Sequence, residues 1–351
     1  MIRYCVNCLL PETKPDLTFD DAGVCDACQN YHNRKQVNWG QRKKELLSIL
    51  DRYRSKNGEN WDCIIPVSGG KDSTYQVIKM LEYGMNPLCV TSTTCDVSEV
   101  GKKNIQNIKE LGVDYIEASP NPKVRRKLNR IGLLEVGDIS WPEHVGIFTI
   151  PIQVAVNYRI PLIIWGENSQ NEYGGPELAK EERVLNRRWL EEFGGLLGMR
   201  VTDLDLYNIQ KKDLLLYTYP DDAALSDVGV TGIFLGYFEP WDGYRNSLVA
   251  QAYGFNCNNG QLVEGSIVNY ENLDNHQTGI HDYFKFLKFG FSRATDIASL
   301  HIRRGLLSRE QGLELVKKYD GRFPSKLIFP HFTGHIFFRF YAAHSSATGV
   351  L

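Results

Sequence analysis

One stretch limits the fold more than any other: Pro66-Val67-Ser68-Gly69-Gly70-Lys71-Asp72-Ser73. The apolar run Cys63-Ile64-Ile65 before it reads as a buried strand, and after it Val77, Ile78 and Leu81 recur at helical spacing. A strand must therefore become a helix within a few residues. Two glycines permit that turn and keep side chains out of a ligand's way. The helix start offers free N–H groups and the positive end of its dipole. Ser68 and Ser73 add hydroxyls and Lys71 adds a charge. Together these make an anion cradle suited to a phosphate chain; the plainer alternative is a glycine turn before an ordinary helix.

The spacing is not the G-x-x-x-x-G-K-[ST] of a Walker loop. It resembles the S-G-G-x-D-S loop of the ATP pyrophosphatases, the PP-loop. That resemblance implies a loop that holds the pyrophosphate end of ATP while an acceptor oxygen attacks the α-phosphorus, giving an adenylated acceptor and pyrophosphate.

A length of 351 residues allows more than one domain. With 40 basic and 42 acidic residues, no net charge pulls the chain toward nucleic acid or an anionic membrane. The opening Met1-Ile2-Arg3-Tyr4-Cys5 has no apolar core of a secretory signal, and no apolar run reaches the roughly 20 residues of a spanning helix. A soluble, cytoplasmic protein is expected.

Eight cysteines are too sparse for a disulfide scaffold. Four of them, Cys5, Cys8, Cys25 and Cys28, have the C-x2-C…C-x2-C spacing of a tetrahedral thiolate zinc site. The Asp20-Asp21-Ala22-Gly23 turn would close a hairpin that brings the pairs together. A four-cysteine site leaves no open position, so the expected Zn2+ is structural; metal-free thiols or redox disulfides are the alternatives. Gln41 to Arg54 reads as a charged helix linking this module to the rest.

From Trp61 strands alternate with helices. Strands are expected at Cys63 to Val67, Pro87 to Thr93, Asp114 to Ala118 and Pro161 to Trp165, with helices over Lys71 to Tyr83, Ser98 to Leu111, Lys123 to Glu135 and His144 to Tyr158. That pattern predicts α/β architecture, a parallel sheet with helices on both faces. Sites in such sheets sit at the carboxyl ends of strands. The rule selects the Ser68 to Ser73 loop, Thr91-Ser92-Thr93-Thr94, Ser119-Pro120-Asn121, and Gly166-Glu167-Asn168. The polar run Gly166 to Gly175 would serve magnesium, ribose or the acceptor, or is simply a turn.

Residues 176–230 look mostly helical; Lys180, Arg183, Arg187 and Arg188 there meet a diphosphate or line a solvated face. Gly232 to Gly243 is an apolar strand running into an aromatic turn, where Trp241 stacks on a ring or packs. In Asp282 to Asp296 aromatics alternate with lysines, which alone would suit single-stranded nucleic acid. Arg293-Ala294-Thr295-Asp296 starts a helix through Arg304, and Ser308 with Gln311 forms a capping box. Ile328 to Leu351 has no clear period, and His331, His335 and His344 fit no helical metal pair.

Taken together these blocks resemble the N-acetyl sugar amidotransferases of bacterial surface-polysaccharide biosynthesis. The matching residues are the paired cysteines, Ser68 to Ser73, Gly166-Glu167-Asn168, Glu172-Tyr173-Gly174-Gly175, Tyr237 to Asp242, Lys288-Phe289-Gly290-Phe291 through Asp296, and Lys318-Tyr319-Asp320-Gly321. The similarity covers about residues 1–325, and the end of the chain departs from the family's acidic helical ending. The resemblance implies an adenine-nucleotide α-hydrolase-like PP-loop domain at 61–235, after a zinc-ribbon-like module at 1–37 and a linking helix at 38–60, and before a mostly helical region at 236–351.

It implies an ATP-dependent ligase for LPS O-antigen, capsule or flagellin glycan biosynthesis. The acetamido group of a nucleotide-linked sugar or nonulosonic acid becomes an acetamidino group through an adenylated imidate. Ammonia is expected from a partner glutaminase and synthase-like subunits, with no nucleic acid or membrane partner. Ser68, Gly69, Gly70 and Ser73 are expected to bind pyrophosphate, with Thr93 also on the ATP side. Lys71 would neutralise phosphate charge, and Asp72 would cap the helix or place Mg2+. Glu167 joins Lys71 and Asp72 as a catalytic candidate, and Asn168, Glu172, Trp241, Asp242, Lys288 and Arg293 are expected on the substrate side. A PP-loop tRNA sulfurtransferase is the rival; it needs a reactive cysteine, and Cys95 is the one plausible nucleophile, since Cys63, Cys89 and Cys257 look buried or isolated. A zinc-ribbon module that binds ATP without turnover is the non-enzymatic alternative.

Overall fold

Four strands belong to one sheet: the apolar Cys63–Pro66 (β1), Pro87–Ser92 (β2) and Leu162–Trp165 (β4), and the more polar edge strand Asp114–Ala118 (β3). They are seen in a computed structural model that describes residues 2–94, 96–167, 184–185, 198–258 and 262–324. The two-residue strand Val184–Leu185 (β5) and Thr231–Phe234 (β6) complete the order β3-β2-β1-β4-β6-β5. All pairings are parallel except β5 with β6. The expected parallel α/β sheet is therefore present.

Successive side chains of β1 point to opposite faces. Cys63 and Ile65 join Leu46 and Leu50 of Trp39–Tyr53 (α2) and Val77 and Met80 of Lys71–Glu82 (α3). Ile64 joins Ile150, Val154 and Ala155 of Trp141–Tyr158 (α6). A strand covered on both faces reads as an unbroken apolar run, which is why β1 and β4 were legible. The helix expected as a link, α2, buries Leu46 and Leu50 in the same core as β1.

Local signals set the helix ends. Asp26–Asn33 (α1) follows the cysteine module. Ser98 caps Glu99–Glu110 (α4), accepting from Gly101 N at 2.8 Å. Asn121 caps Pro122–Glu135 (α5), where proline occupies the first turn. Helix α6 begins at Trp141, three residues before the expected His144, because Pro142 suits a first turn.

The expectation of mostly helix over 176–230 needs correction within its described part. Residues 198–230 hold two 3-10 segments, Val201–Tyr207 and Lys211–Tyr217, and one short helix, Asp222–Val228 (α7). No sustained 3.6-residue stripe runs through them; instead Leu204, Leu214 and Tyr217 pack individually onto Leu128, Trp141 and Val145. The strand at Thr231–Phe234 turns at once into Leu235–Phe238 (α8).

Gly243–Ala252 (α9), Gln277–Phe289 (α10), Arg293–Arg303 (α11) and Arg309–Tyr319 (α12) make the C-terminal region helical. The Ser308–Gln311 capping box forms as expected. The aromatic–lysine run is the helix α10, not an extended strip: Lys285 pairs with Asp296, and Lys288 lies over the Phe289 ring. The N-terminal module packs onto these helices. Leu9 N donates to Ser299 Oγ (3.2 Å), and Arg309 donates to the carbonyls of Cys8 (3.1 Å) and Cys5 (3.3 Å). No described helix is long and apolar enough to cross a membrane.

Candidate active site

The loop after β1 is held open by its own hydrogen bonds. Ser68 N donates to Ser73 Oγ (3.4 Å) and Gly70 N to Ser68 Oγ (3.3 Å), while the Ser73 and Thr74 hydroxyls donate to Gly70 O (3.1 and 3.0 Å). Gly69 has φ +82°, and a Cβ there would come within 3.0 Å of Ile105 Cγ1 and 3.1 Å of Gly101 O on α4. Glycine is thus required twice over, by conformation and by the close approach of α4. Gly70 is the N-cap of α3, and no side chain caps it. First-turn N–H groups and the helix dipole remain available to an anion.

The loop opens onto a cleft of about 660 Å³, a volume typical of small-ligand sites. The cleft lies where strand order reverses, with β2 and β3 on one side of β1 and β4 and β6 on the other. Pro66, Thr91, Trp165 and Phe234 line it from the strands. Helix α6 contributes Ile147, Phe148 and Pro151, and α4 contributes Lys102, Ile105 and Lys109. Asp72, Glu117, Glu167 and Asp274 supply carboxyl groups. Two lining atoms, Gln76 Oε1 and Trp165 Nε1, are buried with no hydrogen-bond partner among the described residues. Such orphaned groups cost free energy unless a ligand or water satisfies them. An acceptor and a donor left open in the cleft, beside an uncapped helix start, fit a nucleotide with a polar ring and a phosphate tail.

Ser68, Asp72, Ser73, Thr93 and Glu167 line the cleft, while Gly69 and Gly70 shape the loop. Thr93 Oγ1 donates to Glu117 (3.3 Å), and its carbonyl accepts from Arg125 Nη1 (2.7 Å). Asp72 is held from both sides, by Asn246 Nδ2 at 2.9 Å and Lys71 Nζ at 2.5 Å.

Lys71 is placed differently from the expectation of a phosphate-neutralising charge. Its ammonium is 5% exposed and lies 2.6 Å from Glu271 as well as 2.5 Å from Asp72. It lines a small side cavity with Trp241 and Arg304, not the cleft. Burial alone would lower its pKa, but the two carboxylates outweigh that and hold it well above the ordinary lysine value. Among the described residues, the lysines on the cleft wall are Lys102 and Lys109 of α4.

Of the substrate-side candidates, Trp241, Asp242, Lys288 and Arg293 do not line the cleft. Trp241 is buried edge-on against Tyr75, with centroids 5.6 Å apart, and a Cβ on Gly166 or Gly236 would meet its ring at 3.3 Å. It packs rather than offering a free stacking face. Asp242 caps α9 through Tyr244 N (2.9 Å) and Arg245 N (3.0 Å) and pairs with Arg304 (2.8 Å). Arg293 pairs with Asp282 at 3.2 Å, and Lys288 is exposed. Asn168, Glu172, Lys180, Arg183, Arg187, Arg188, Cys95, His331, His335 and His344 lie outside the described residues.

Of the other cysteines, Cys63 and Cys89 are fully buried in the sheet core, and burial pushes the Cys89 thiol up to about 12. Neither is suited to act as a thiolate.

Sequence reasoning passed over Gln76, Lys102, Lys109, Glu117 and Asp274. A signal existed for α4: Lys102, Ile105 and Lys109 stand at i, i+3 and i+7, one face of a helix. Asp274 arrives from a distant segment, and no local pattern announces it.

The four cysteines meet as expected. Cys5 and Cys28 sulfurs are 3.9 Å apart, Cys8 and Cys25 sulfurs 3.7 Å. These are far beyond a disulfide bond and match the edge of about 3.8 Å for a tetrahedron with metal–sulfur distances of about 2.3 Å. Cys8 N and Cys25 N donate to Cys5 Sγ (3.5 and 3.2 Å), and Arg303 Nη1 lies 3.7 Å from Cys8 Sγ. Hydrogen bonds from Cys25 and Cys28, with help from the Arg303 charge, hold the Cys8 thiol below its ordinary value. All four are at most 7% exposed. The donor set is compatible with a structural Zn2+.

Comparison with known proteins adds the following. Residues 264–332 match the family model of the LPS biosynthesis protein WbpG-like, C-terminal domain. The match spans α10 to α12 and includes the Lys288 to Asp296 and Lys318 to Gly321 blocks that carried the sequence resemblance. No curated protein matches the chain. Among solved structures, NMN synthetase from Francisella tularensis is similar at 14% identity and a TM-score of 0.29, over 55% of this chain and 91% of that one. NH3-dependent NAD synthetase from Campylobacter jejuni, in complex with the nitrate ion, is similar at 12% identity and a TM-score of 0.30, over 62% and 97%.

Proposed function

We propose that this chain is an ATP-dependent amidotransferase that converts an acetamido group of a nucleotide-linked sugar, or of a nonulosonic acid, into an acetamidino group. The observation that carries the reading is the uncapped start of α3 at the mouth of a cleft on the sheet's switch point. The WbpG-like match at 264–332 supports a role in LPS biosynthesis. ATP, Mg2+ and a sugar would then meet in the cleft, in the cytoplasm, with ammonia supplied by a separate glutaminase and synthase-like subunits.

The chemistry explains why ATP is needed. An amide carbonyl is a poor electrophile, and its oxygen leaves only when esterified. Bound ATP supplies the adenylyl group; pyrophosphate departs, ammonia nitrogen enters, and the carbonyl oxygen leaves on AMP. The chain's residues would bind and position rather than react. Ser68, Ser73 and the first-turn N–H groups of α3 would hold the pyrophosphate end. Lys102 and Lys109 would add the charge that Lys71, committed to Asp72 and Glu271, does not bring. Gln76 and Trp165 would satisfy their open acceptor and donor on the nucleotide ring. Glu117 and Glu167 offer oxygens of the kind Mg2+ takes. Rate enhancement would come from orientation and stabilisation of the developing charge.

A screen of nucleotide sugars with ATP and ammonium, read by product mass, tests the reading. One acetamido sugar should give a product with NH in place of O, together with equal AMP and pyrophosphate. AMP release that never depends on an acetamido sugar would overturn it.

A further inference from the structure

Away from the loop, three side chains with metal-binding chemistry converge. The turn between α5 and α6 brings Asp138, the first turn of α6 brings His144, and α10 brings His281. Asp138 Oδ1 lies 2.8 Å from His281 Nδ1, and Asp138 Oδ2 lies 3.3 Å from His144 Nδ1. One donor atom from each residue falls within 4.8 Å of the others. The two imidazoles stand edge to face with centroids 5.4 Å apart.

The surroundings fix this geometry before any ion arrives. A Cβ on Gly132 would meet the Asp138 carbonyl oxygen at 2.6 Å, so glycine lets the turn close onto α5. Asp138 N donates to Gly132 O (3.0 Å), and Ser140 N donates to Asp138 Oδ1 (2.8 Å). Gln277, one turn before His281, donates to Ile139 O (3.2 Å) and Ser140 Oγ (3.1 Å), tying α10 to the turn. The carboxylate is 3% exposed, while the His144 and His281 side chains are 30% and 26% exposed. A buried anion thus sits beneath two rings that reach solvent. Buried carboxylates are characteristically paired or metal-bound.

We propose that Asp138, His144 and His281 are the three protein ligands of a divalent transition-metal site, with zinc the ion the donors suit best and a fourth position open toward solvent. Two imidazoles and one carboxylate are the donor set of zinc sites that keep an open position, and the nitrogen donors disfavour Mg2+ and Ca2+. Metal–ligand distances of about 2.0–2.1 Å give a tetrahedron edge of about 3.3 Å. The two short contacts run to different oxygens of Asp138, 3.3 Å from Oδ2 to His144 and 2.8 Å from Oδ1 to His281, and one donor atom from each residue lies within 4.8 Å of the others, so closing onto one ion takes small side-chain rotations. Imidazole binds a metal through a deprotonated nitrogen, so any proton held in the His281 Nδ1–Asp138 Oδ1 contact passes to water when the ion enters. His144 stands one turn before Ile147 and Phe148, which line the cleft, while none of the three ligands lines it. The inference stands on these three residues and does not depend on the proposed reaction.

The test counts metal on the full chain. Protein dialysed against a mild chelator, so that the buried four-cysteine site stays loaded, is titrated with Zn2+ and examined by native mass spectrometry. The wild type should take about two zinc ions per chain, and His144→Ala and His281→Ala about one each. Asp138 is buried and its loss could disturb the turn, so the two part-exposed histidines carry the test, with thermal melting as the folding control. Co2+ should give a visible spectrum without thiolate charge transfer that vanishes in either histidine variant. A wild type that stops at one zinc, or a second zinc that survives both histidine substitutions, would overturn the proposal.

Discussion

The four-cysteine cluster and the cleft at the sheet edge both grow from tight turns, yet they treat polar atoms in opposite ways. In the cluster, all donors come from the stretch Cys5 to Cys28, each sulfur is buried, and the spacing closes a tetrahedron. In the cleft, walls arrive from α4, α6 and several strands; among the described residues Gln76 Oε1 and Trp165 Nε1 have no hydrogen-bond partner, and no side chain caps the start of α3. A closed site returns its binding free energy to the fold. An open site carries unsatisfied groups that weaken the free protein and strengthen the complex. Damage to the first should therefore appear in stability, and damage to the second in binding and turnover.

The sharpest way to break this contrast is to remove the metal. Cys8→Ser, or a strong chelator, should lower stability on the order of 5 kcal/mol or more, read as the urea midpoint with and without zinc. An unmoved midpoint would mean the cluster is not a metal site. Next comes Ser68→Ala, which should cut AMP formation roughly 100-fold or more while leaving that midpoint in place. A shift in the midpoint without loss of turnover would reverse the assignment of the two regions. Gln76→Leu sharpens the comparison because its two effects have opposite sign. Removing an orphaned acceptor should leave the free protein as stable or up to about 1 kcal/mol more so, yet weaken ATP binding roughly 10-fold, as calorimetry would report. Arg309→Ala is the mildest. It deletes the bonds to the Cys8 and Cys5 carbonyls and should cost about 1 kcal/mol of stability, with KM for ATP unchanged.

The same contrast explains what was legible beforehand. The cysteine pairs and the strand–glycine–helix turn are written locally, so spacing alone revealed them. The sheet was legible because β1 and β4 are buried on both faces and leave no polar interruption. The reach of side chains was not. Lys71 has the composition of a phosphate ligand, but Glu271, two hundred positions later, captures it. Trp241 could stack or pack until Gly166 and Gly236 were seen pressed against its ring. Asp138, His144 and His281 form no spaced motif at all; only the packing of α10 against the α5–α6 turn unites them. Residues 201–217 follow tertiary contacts at Leu204 and Leu214 rather than any helical stripe, which is why helix was expected and 3-10 turns are found.

The most direct test is a structure of the protein crystallised with a non-hydrolysable ATP analogue. The phosphates should lie against Ser68 to Ser73 and the first N–H groups of α3, with the base reaching Gln76 and Trp165. Phosphates bound elsewhere, with that turn empty, would contradict the reading at its foundation.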